Sequence, residues 1–525
     1  MKLIGIIIYL AILLLIGAAA SRRMKNLRDY YAGGKQFGFW AAAFSSRATG
    51  ESAWLLVGLT GMGAAVGAQA LWIVVGEVLG VAAAWIFLCT RFKRLTDCYD
   101  SITIPDYLES RLRDTKHRIR LVAAFTLVIF VTIYVSAQIH AIGTAFEGFL
   151  GWNYFVGAMV GFAVVLVYIV SGGFVAVVWS DVFQGTLMVL GLVALPFFGL
   201  AAAGGYAPTI DQLQFQDPTL LSLWGPDGQS LKSFFTILGF LAIGLGFLGS
   251  PQIFVRFLSL RSEKEIRPGA IVAVIWTMLA TTGAVLIGMV GRAVLMVPGQ
   301  AVAEQLGTGG ENVLPMLVAR AVPDWVAGIY IAIVLAAIMS TVDSLLVLAS
   351  SAFVRDYYQK VRHPDMSDDK LLGRSRTVTF ALAATALVIA FSVAVLSPGR
   401  TVFWFTIFGW SGISATFCPT MILSLFWSRL TARGALCAML AGFGSVPFFK
   451  FVVPLIPTVG PHFESLSELP PAFIVSGLVA IIVSLLDRRG QESLTGVLDG
   501  FGRNASAAGR AEPANAGSSQ NESNQ

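Results

Sequence analysis

Apolar residues in this chain run on for twenty positions or more, and the stretches between those runs hold most of the charge. A helix crossing about 30 Å of hydrocarbon needs roughly 20 mostly apolar residues. Thirteen segments meet that requirement, near residues 2–20, 38–62, 69–90, 120–148, 153–172, 180–202, 233–256, 269–293, 324–352, 377–396, 401–427, 434–456 and 470–486. The pattern predicts an all-α integral membrane protein with about 13 transmembrane helices. Two of the segments are interrupted. The second carries the polar run Ser45-Ser46-Arg47-Ala48-Thr49-Gly50-Glu51-Ser52, and the seventh carries Gly244, Gly246 and Gly249 followed by Ser250-Pro251. Irregular backbone at membrane depth is tolerated only where it lines a cavity. Broken helices at matching places in two halves of a chain point to a transporter's central site. Glycines that only let helices pack closely would explain the second of these runs, but not the first.

Composition agrees with the pattern. Of 525 residues, 56% are hydrophobic and 13% charged, against about 25% charged in a soluble protein. The net charge of +6 does not mark a nucleic-acid binder, because the basic residues sit in short clusters beside apolar runs, as they do near anionic lipid. The four cysteines, Cys89, Cys98, Cys418 and Cys437, lack metal-ligand spacing and read as small apolar filler.

Charge also sets an orientation. The first segment could be a signal peptide ending at Ala18-Ala19-Ala20, but one charge, Lys2, precedes it while Arg22, Arg23, Lys25 and Arg28 follow. We therefore expect a first span with its N-terminus outside. Threaded from there, 29 of the 36 Lys and Arg fall on the cytoplasmic side, including a cluster from Arg256 to Arg267. The expected location is the cell (inner) membrane, with a cytoplasmic C-terminus. Residues 203–232 and 294–323 become long outer loops, the first with a turn at Trp224-Gly225-Pro226-Asp227-Gly228. The tail from Gly490 is low in apolar anchors and reads as disordered. Its glycosylation-like triplets at Asn504 and Asn521 read as chance matches.

Charges inside the spans are expensive and usually functional. They are Arg47, Glu51, Glu77, His140, Asp181 and Asp343. Arg47 and Glu51 share a helical face and could form a purely structural pair; Glu77 could bond across a helix interface. His140 fits an interior histidine, and Asp181 could cap its helix. Asp343 has no such simple role. It lies in Ser340-Thr341-Val342-Asp343-Ser344, which offers four oxygen-bearing side chains in five residues. A small hard cation takes hydroxyl, carboxylate and carbonyl oxygens.

On these residues the chain resembles the sodium:solute symporter family, and within it the bacterial sodium/proline symporters. The similarity rests on Ser52-Ala53-Trp54 through Gly61, Gly172-Gly173-Phe174 through Trp179-Ser180-Asp181 to Gln184, Gly244 through Pro251, Met339-Ser340-Thr341 and Trp427-Ser428-Arg429. The resemblance implies a LeuT-type fold with a 5+5 inverted repeat. On this chain it gives an extra first helix and basic cytoplasmic loop (1–37) and a first five-helix repeat (38–202). An extracellular loop (203–232), a second repeat (233–427), two C-terminal helices (428–489) and a disordered tail (490–525) follow. It implies a sodium site built from backbone oxygens of Ala48, Glu51 and Ala337 and hydroxyls of Ser340 and Thr341. A further ion site of some relatives would map to Asp181, Ser340, Asp343 and Ser344. Substrate contacts would map to Ser52, Trp54, Tyr134, Phe247 and Ser250, with Arg47 a counter-ion for a carboxylate. The chain departs from the proline symporters at Gly50, where they have an aspartate, and at Ile243, where they have a tryptophan.

The expected activity is sodium-coupled import of a small organic solute, an amino acid such as L-proline, by alternating access. No covalent chemistry, cofactor, nucleic acid or obligatory protein partner is expected; the partners are solute, sodium and membrane lipid. The alternatives are a monocarboxylate or other small organic anion as solute, or proton coupling through Glu51, Asp181, Asp343 and His140. A membrane-embedded enzyme is disfavoured by four scattered histidines and no HExxH-like motif. A sensor built on a transporter-like domain would need a further domain after the spans.

Overall fold

An apolar chain without water must satisfy its own backbone, and this one does so almost entirely as helix. The computed structural model describes residues 2–21, 33–169, 173–297, 299–363, 365–366, 368–397 and 399–494. The basic residues Arg22, Arg23, Lys25 and Arg28, the glycine Gly172 and the tail beyond 494, with Asn504 and Asn521, lie outside the described residues. Among the described residues the one β contact is an isolated bridge between Phe37 and Leu260.

The helices that frame the site and its bundle are α1 (Lys2–Ser21), α2 (Phe39–Gly50), α3 (Thr60–Val66), α4 (Leu71–Ala83), α5 (Arg118–Leu150), α6 (Tyr154–Ile169), α7 (Gly173–Ala202) and α8 (Leu231–Ala242). They continue as α9 (Pro251–Leu258), α10 (Ile266–Leu295), α11 (Asp324–Ser351), α12 (Asp368–Leu396), α13 (Val402–Phe426), α14 (Ala432–Pro447) and α15 (Leu469–Leu486). Among the described residues 11 helical stretches are long and apolar enough to cross a membrane, so length and apolarity do not reproduce the expected count of 13. Two features account for the gap. Trp54–Cys98 forms one long stretch in which the helix is broken only by a tight, buried turn at Gly67–Ala70, where Gly67 has φ 61° and ψ −134°. The apolar core of α6, Tyr154–Leu166, falls short of the others in length.

Helix α11 is the axis of the molecule. In its most apolar window 94% of residues are buried, against 22% in α1 and in the stretch Gly373–Leu396. Helix α1 packs along α11 so tightly that a Cβ on Gly5 would strike the backbone of Gly328. His140 on α5 is bonded to the Tyr154 hydroxyl at 2.7 Å, an interior role.

Both expected breaks are present, and each is narrower than its polar or glycine-rich run. Residues 45–50 remain helical; the backbone leaves the helix at Glu51 (φ −101°, ψ 88°) and resumes in widened turns at Trp54–Leu59. In the seventh segment α8 tightens through Ile243–Leu248, the chain extends at Ser250 (ψ 127°), and Pro251 opens α9. Proline suits that first position because its missing N–H would have no helical partner there. A Cβ on Gly244 would overlap the Gly76 carbonyl, and one on Gly80 the Gly244 carbonyl, so α4 and the Ile243–Leu248 turn meet backbone to backbone.

The loop 203–232 holds a helix, Tyr206–Gln216, before its turn at Gly225 and Gly228, both with positive φ. The tail expected to be disordered from Gly490 begins instead as helix, Arg488–Leu494.

Candidate ion and solute site

A helix that stops inside the membrane leaves its last four carbonyls without intrahelical partners, and a partial negative charge with them. Each of the last four carbonyls of α2 is answered differently. Arg47 O accepts from Glu51 N at 2.9 Å, and Gly50 O from the Trp54 indole at 3.2 Å. Ala48 O accepts from the Ser340 hydroxyl at 2.9 Å, and Thr49 O from the Thr341 hydroxyl at 3.1 Å. The same two hydroxyls reach Ala337 O at 3.1 and 3.2 Å. Five oxygens thus converge between α2 and the middle of α11, all on buried residues with no formal charge. Of the expected ligands, Ala48, Ala337, Ser340 and Thr341 are brought together. The Thr49 carbonyl, which sequence reasoning passed over, stands at Thr341; Glu51, expected to give its backbone oxygen, follows at the break with its side chain on Arg47.

One helical turn toward α9 a second cluster forms, and it is charged. Asp181, on α7, receives the Ser45 hydroxyl at 2.6 Å and the Thr49 hydroxyl at 3.3 Å. The Ser344 hydroxyl lies 2.9 Å from that of Thr49 and 3.3 Å from Asp343 Oδ1. Among them sits the guanidinium of Arg256. It donates to Ser45 at 3.0 Å, Thr49 at 2.8 Å, Ser344 at 2.6 Å, Asp181 at 3.2 Å and the Gln252 carbonyl at 2.7 Å. Ser340, assigned to both expected sites, turns its hydroxyl to the neutral one.

Arg256 corrects the sequence reading. We expected it in a cytoplasmic basic cluster, yet it lies in α9 with 1% of its surface exposed. The signal was available: it is a single charge in the apolar stretch Ile253-Phe254-Val255-Arg256-Phe257-Leu258, the same oddity that marked Asp343.

Around the break in the second segment, Arg47 pairs with Glu51 and lies 4.5 Å over the Phe247 ring and 6.0 Å over Trp276. The Ser52 and Tyr134 hydroxyls are 3.3 Å apart, and Ala53 N donates to Gln138 Oε1 at 3.0 Å. Trp54 meets Phe403 edge to face. Arg47, Ser52, Trp54, Tyr134 and Phe247 therefore surround one stretch of unwound backbone. Ser250 is directed elsewhere, with Cys418 Sγ 3.9 Å from its hydroxyl. Glu77 is wholly buried, and neither of its carboxylate oxygens has a hydrogen-bond partner. Gln138, Trp276 and Trp410 complete the wall; as neutral residues in apolar helices they carried no sequence signal.

Two further features flank these clusters. A cavity lined by Thr103, Phe174, Arg256, Ser344, Ser351 and Asp356 runs along the Asp356 end of α11 up to the charged cluster. At the other end of the bundle, Glu311 accepts the Val402 and Phe403 N–H groups at 3.0 Å each. Burial holds the Glu311 carboxyl above its ordinary range, at about 7, despite those two donors.

The sequence model of the sodium:solute symporter family matches residues 30–442. The high-affinity proline transporter of Bacillus subtilis (strain 168) is 33% identical over 484 residues, 92% of this chain and 98% of that protein. The sodium/proline symporter of Escherichia coli (strain K12) is 30% identical over 487 residues, 93% of each chain. Among solved structures, a Na+-coupled sialic acid symporter in a substrate-bound outward-open state superposes with a TM-score of 0.75 at 21% identity. It covers 92% of this chain and 97% of its own. At that identity the likeness is one of fold, the LeuT type.

Proposed function

The chain belongs to the sodium:solute symporter family, and we propose that it imports L-proline together with sodium by alternating access. The observation that carries the reading is the neutral oxygen cluster at the broken end of α2. Its Ser340 and Thr341 hydroxyls satisfy carbonyls that an incoming ion would take over. A hydroxyl has one proton and two lone pairs, so rotation turns each from donor to ligand. Sodium would then be held by Ala48, Ala337, Ser340 and Thr341, with the Thr49 or Glu51 carbonyl as a further oxygen. Because α2 and α11 both contribute, ion binding draws the unwound segment into one arrangement. The solute beside it binds more tightly once the ion is in place, and the coupling is reciprocal.

For the solute, the unwound stretch offers backbone groups beside Ser52, Trp54 and Tyr134, with Phe247 and Trp410 as an apolar wall (ring centroids 5.0 Å apart). A compact ring such as that of proline suits such a wall. The two departures from the proline-symporter pattern have physical counterparts here. A Cβ on Gly50 would lie 2.9 Å from the Phe247 ring, so phenylalanine fills the space an aspartate would need. At Ile243, whose carbonyl accepts the Trp410 indole at 3.0 Å, an indole is supplied from α13 instead. Arg47, already paired with Glu51, is a positioning charge rather than a free counter-ion.

The membrane potential assists such a cycle, since one charge crossing 100 mV contributes about 2.3 kcal/mol. The N-terminus is assigned outside and the C-terminus to the cytoplasm, on the distribution of basic residues. The test is uptake into proteoliposomes from a panel of labelled amino acids and carboxylates, with and without a sodium gradient. Sodium-stimulated accumulation of proline above all others is expected. Equal accumulation without sodium, abolished by a proton uncoupler, would sink sodium coupling; preference for a carboxylate would sink proline.

A further inference from the structure

We propose that Glu77 receives the protonated nitrogen of the solute, so that this carrier takes compact solutes bearing a cationic N–H group and refuses organic anions that lack one. The inference rests on the reading that the solute lies beside the unwound stretch of the second segment. Burying a carboxylate is costly unless donors meet it. Glu77 is wholly buried in α4, yet neither of its oxygens has a hydrogen-bond partner. The bond across a helix interface that its place in the sequence allowed is not made. Buried polar atoms are nearly always partnered. In a carrier, an acceptor pair left open is a place for donors that arrive and leave with the cargo.

The surrounding charges fix the kind of donor. Arg47 and Glu51 pair with each other, and Arg47 lies over the Phe247 ring. Their charges cancel, which leaves Glu77 as the surplus. Its field reaches Arg47 on α2 and the Tyr134 hydroxyl on α5, two of the residues around the unwound backbone. The Ile243–Leu248 turn, which carries Phe247, packs against it so closely that a Cβ on Gly244 would lie 3.2 Å from Glu77 N. A bare hard cation wants about six oxygens around it. The walls here are aromatic instead, Phe247 against Trp410, and the Tyr134 hydroxyl faces that of Ser52. Aromatic faces favour an organic cation. The protonated nitrogen of proline carries two N–H donors, one for each Glu77 oxygen, while its ring meets the wall. Such charge-assisted bonds are about twice as strong as neutral ones. A carboxylate solute without the nitrogen would bring a second negative charge to Glu77 and be repelled.

The test is a set of proline analogues of similar shape, competing with labelled proline for uptake into proteoliposomes. Tetrahydrofuran-2-carboxylate and cyclopentanecarboxylate lack both the positive charge and the N–H; N,N-dimethylproline keeps the charge without the N–H. The first two should compete about a hundredfold less well than proline, and dimethylproline should fall between. Glu77→Gln should raise the half-saturating proline concentration about a hundredfold. It should also bring the ratio between proline and tetrahydrofuran-2-carboxylate toward unity, a collapse that a merely structural role would not produce. Binding of 22Na+ without solute reports whether that variant is folded; if it is not, the wild-type analogue series decides alone. Equal competition by cyclopentanecarboxylate in the wild type overturns the proposal, as does a Glu77→Gln variant that keeps both affinity and ratio. Either result leaves proline import standing. Uptake of another amino acid in place of proline overturns only the proline reading, and Glu77 is then tested on that amino acid and its nitrogen-free analogue. A wild-type preference for a carboxylate without nitrogen overturns both.

Discussion

The two polar clusters share helices α2 and α11 yet are held in opposite ways. At the end of α2, neutral hydroxyls donate to neutral carbonyls, bonds worth about 1 kcal/mol each. One turn away, Arg256 is joined to Asp181 by charge and donates five hydrogen bonds, one to Asp181 and the others to Ser45, Thr49, Ser344 and the Gln252 carbonyl. The first arrangement costs little to undo, as the ion proposed for it would require on entering and leaving. The second leaves a buried charge stranded if either partner goes. Polarity at membrane depth is thus of two kinds, exchangeable and permanent, and the sequence shows both simply as polar residues in apolar helices.

The largest effect should come from breaking the permanent cluster. Asp181→Asn strands Arg256, and removing one partner of a buried pair costs about 3–5 kcal/mol. Thermal unfolding in detergent should show a clear loss, most of it recovered when Arg256→Gln is added. If the double variant is no more stable than the single one, the clusters do not differ in the way described. The exchangeable cluster should respond in affinity rather than stability. Ser340→Ala and Thr341→Ala should each raise the half-saturating sodium concentration about tenfold or more, with little change in unfolding temperature; tenfold corresponds to about 1.4 kcal/mol. Unaltered sodium dependence in both variants would remove the neutral cluster from the ion's path.

Glu311 stands between the two extremes, a carboxylate facing only neutral N–H donors. Its carboxyl sits at about 7 when buried and returns to the ordinary range near 4.5 when the contact opens to water. The contact is therefore fully favoured below that ordinary value and weakens as pH rises through about 7. Labelling of a cysteine placed nearby should increase between pH 5 and pH 8. Glu311→Gln should flatten that dependence, and a pH response that survives the substitution would assign it to another group. The smallest effect is expected at Ser52, whose 3.3 Å hydroxyl contact with Tyr134 is long. Ser52→Ala should raise the half-saturating proline concentration by a few-fold at most, leaving the sodium dependence unchanged.

How much of this could be read beforehand follows from what each residue shows as a letter. Ser340, Thr341 and Asp343 stood out because side-chain oxygens are rare in an apolar helix. Of their carbonyl partners, Ala48 was reached only through the family resemblance and Thr49 not at all, since every residue carries a carbonyl and only the helix end frees these two. Arg256 was hidden by its neighbours: Arg261, Lys264 and Arg267 follow closely and look like the same loop. The breaks were legible as regions but not as positions, because Ser45 through Gly50 stay helical despite their composition. The turn between the expected segments 38–62 and 69–90 is buried and marked by a single polar side chain, Gln69, so the two helices it joins read as one long stretch by length and apolarity.

The glycine contact between α4 and the Ile243–Leu248 turn sets how the machine is geared. With no side chains between the two backbones, a single added methyl group on either face would force them apart. Contact this close favours their moving together. Glu77, next to Gly76 in the chain, is therefore carried in step with Phe247 whenever the broken segment tilts. In the proposed cycle, a buried carboxylate and an aromatic wall kept in one register would act as a gauge, setting the width of the site while its opening changes sides.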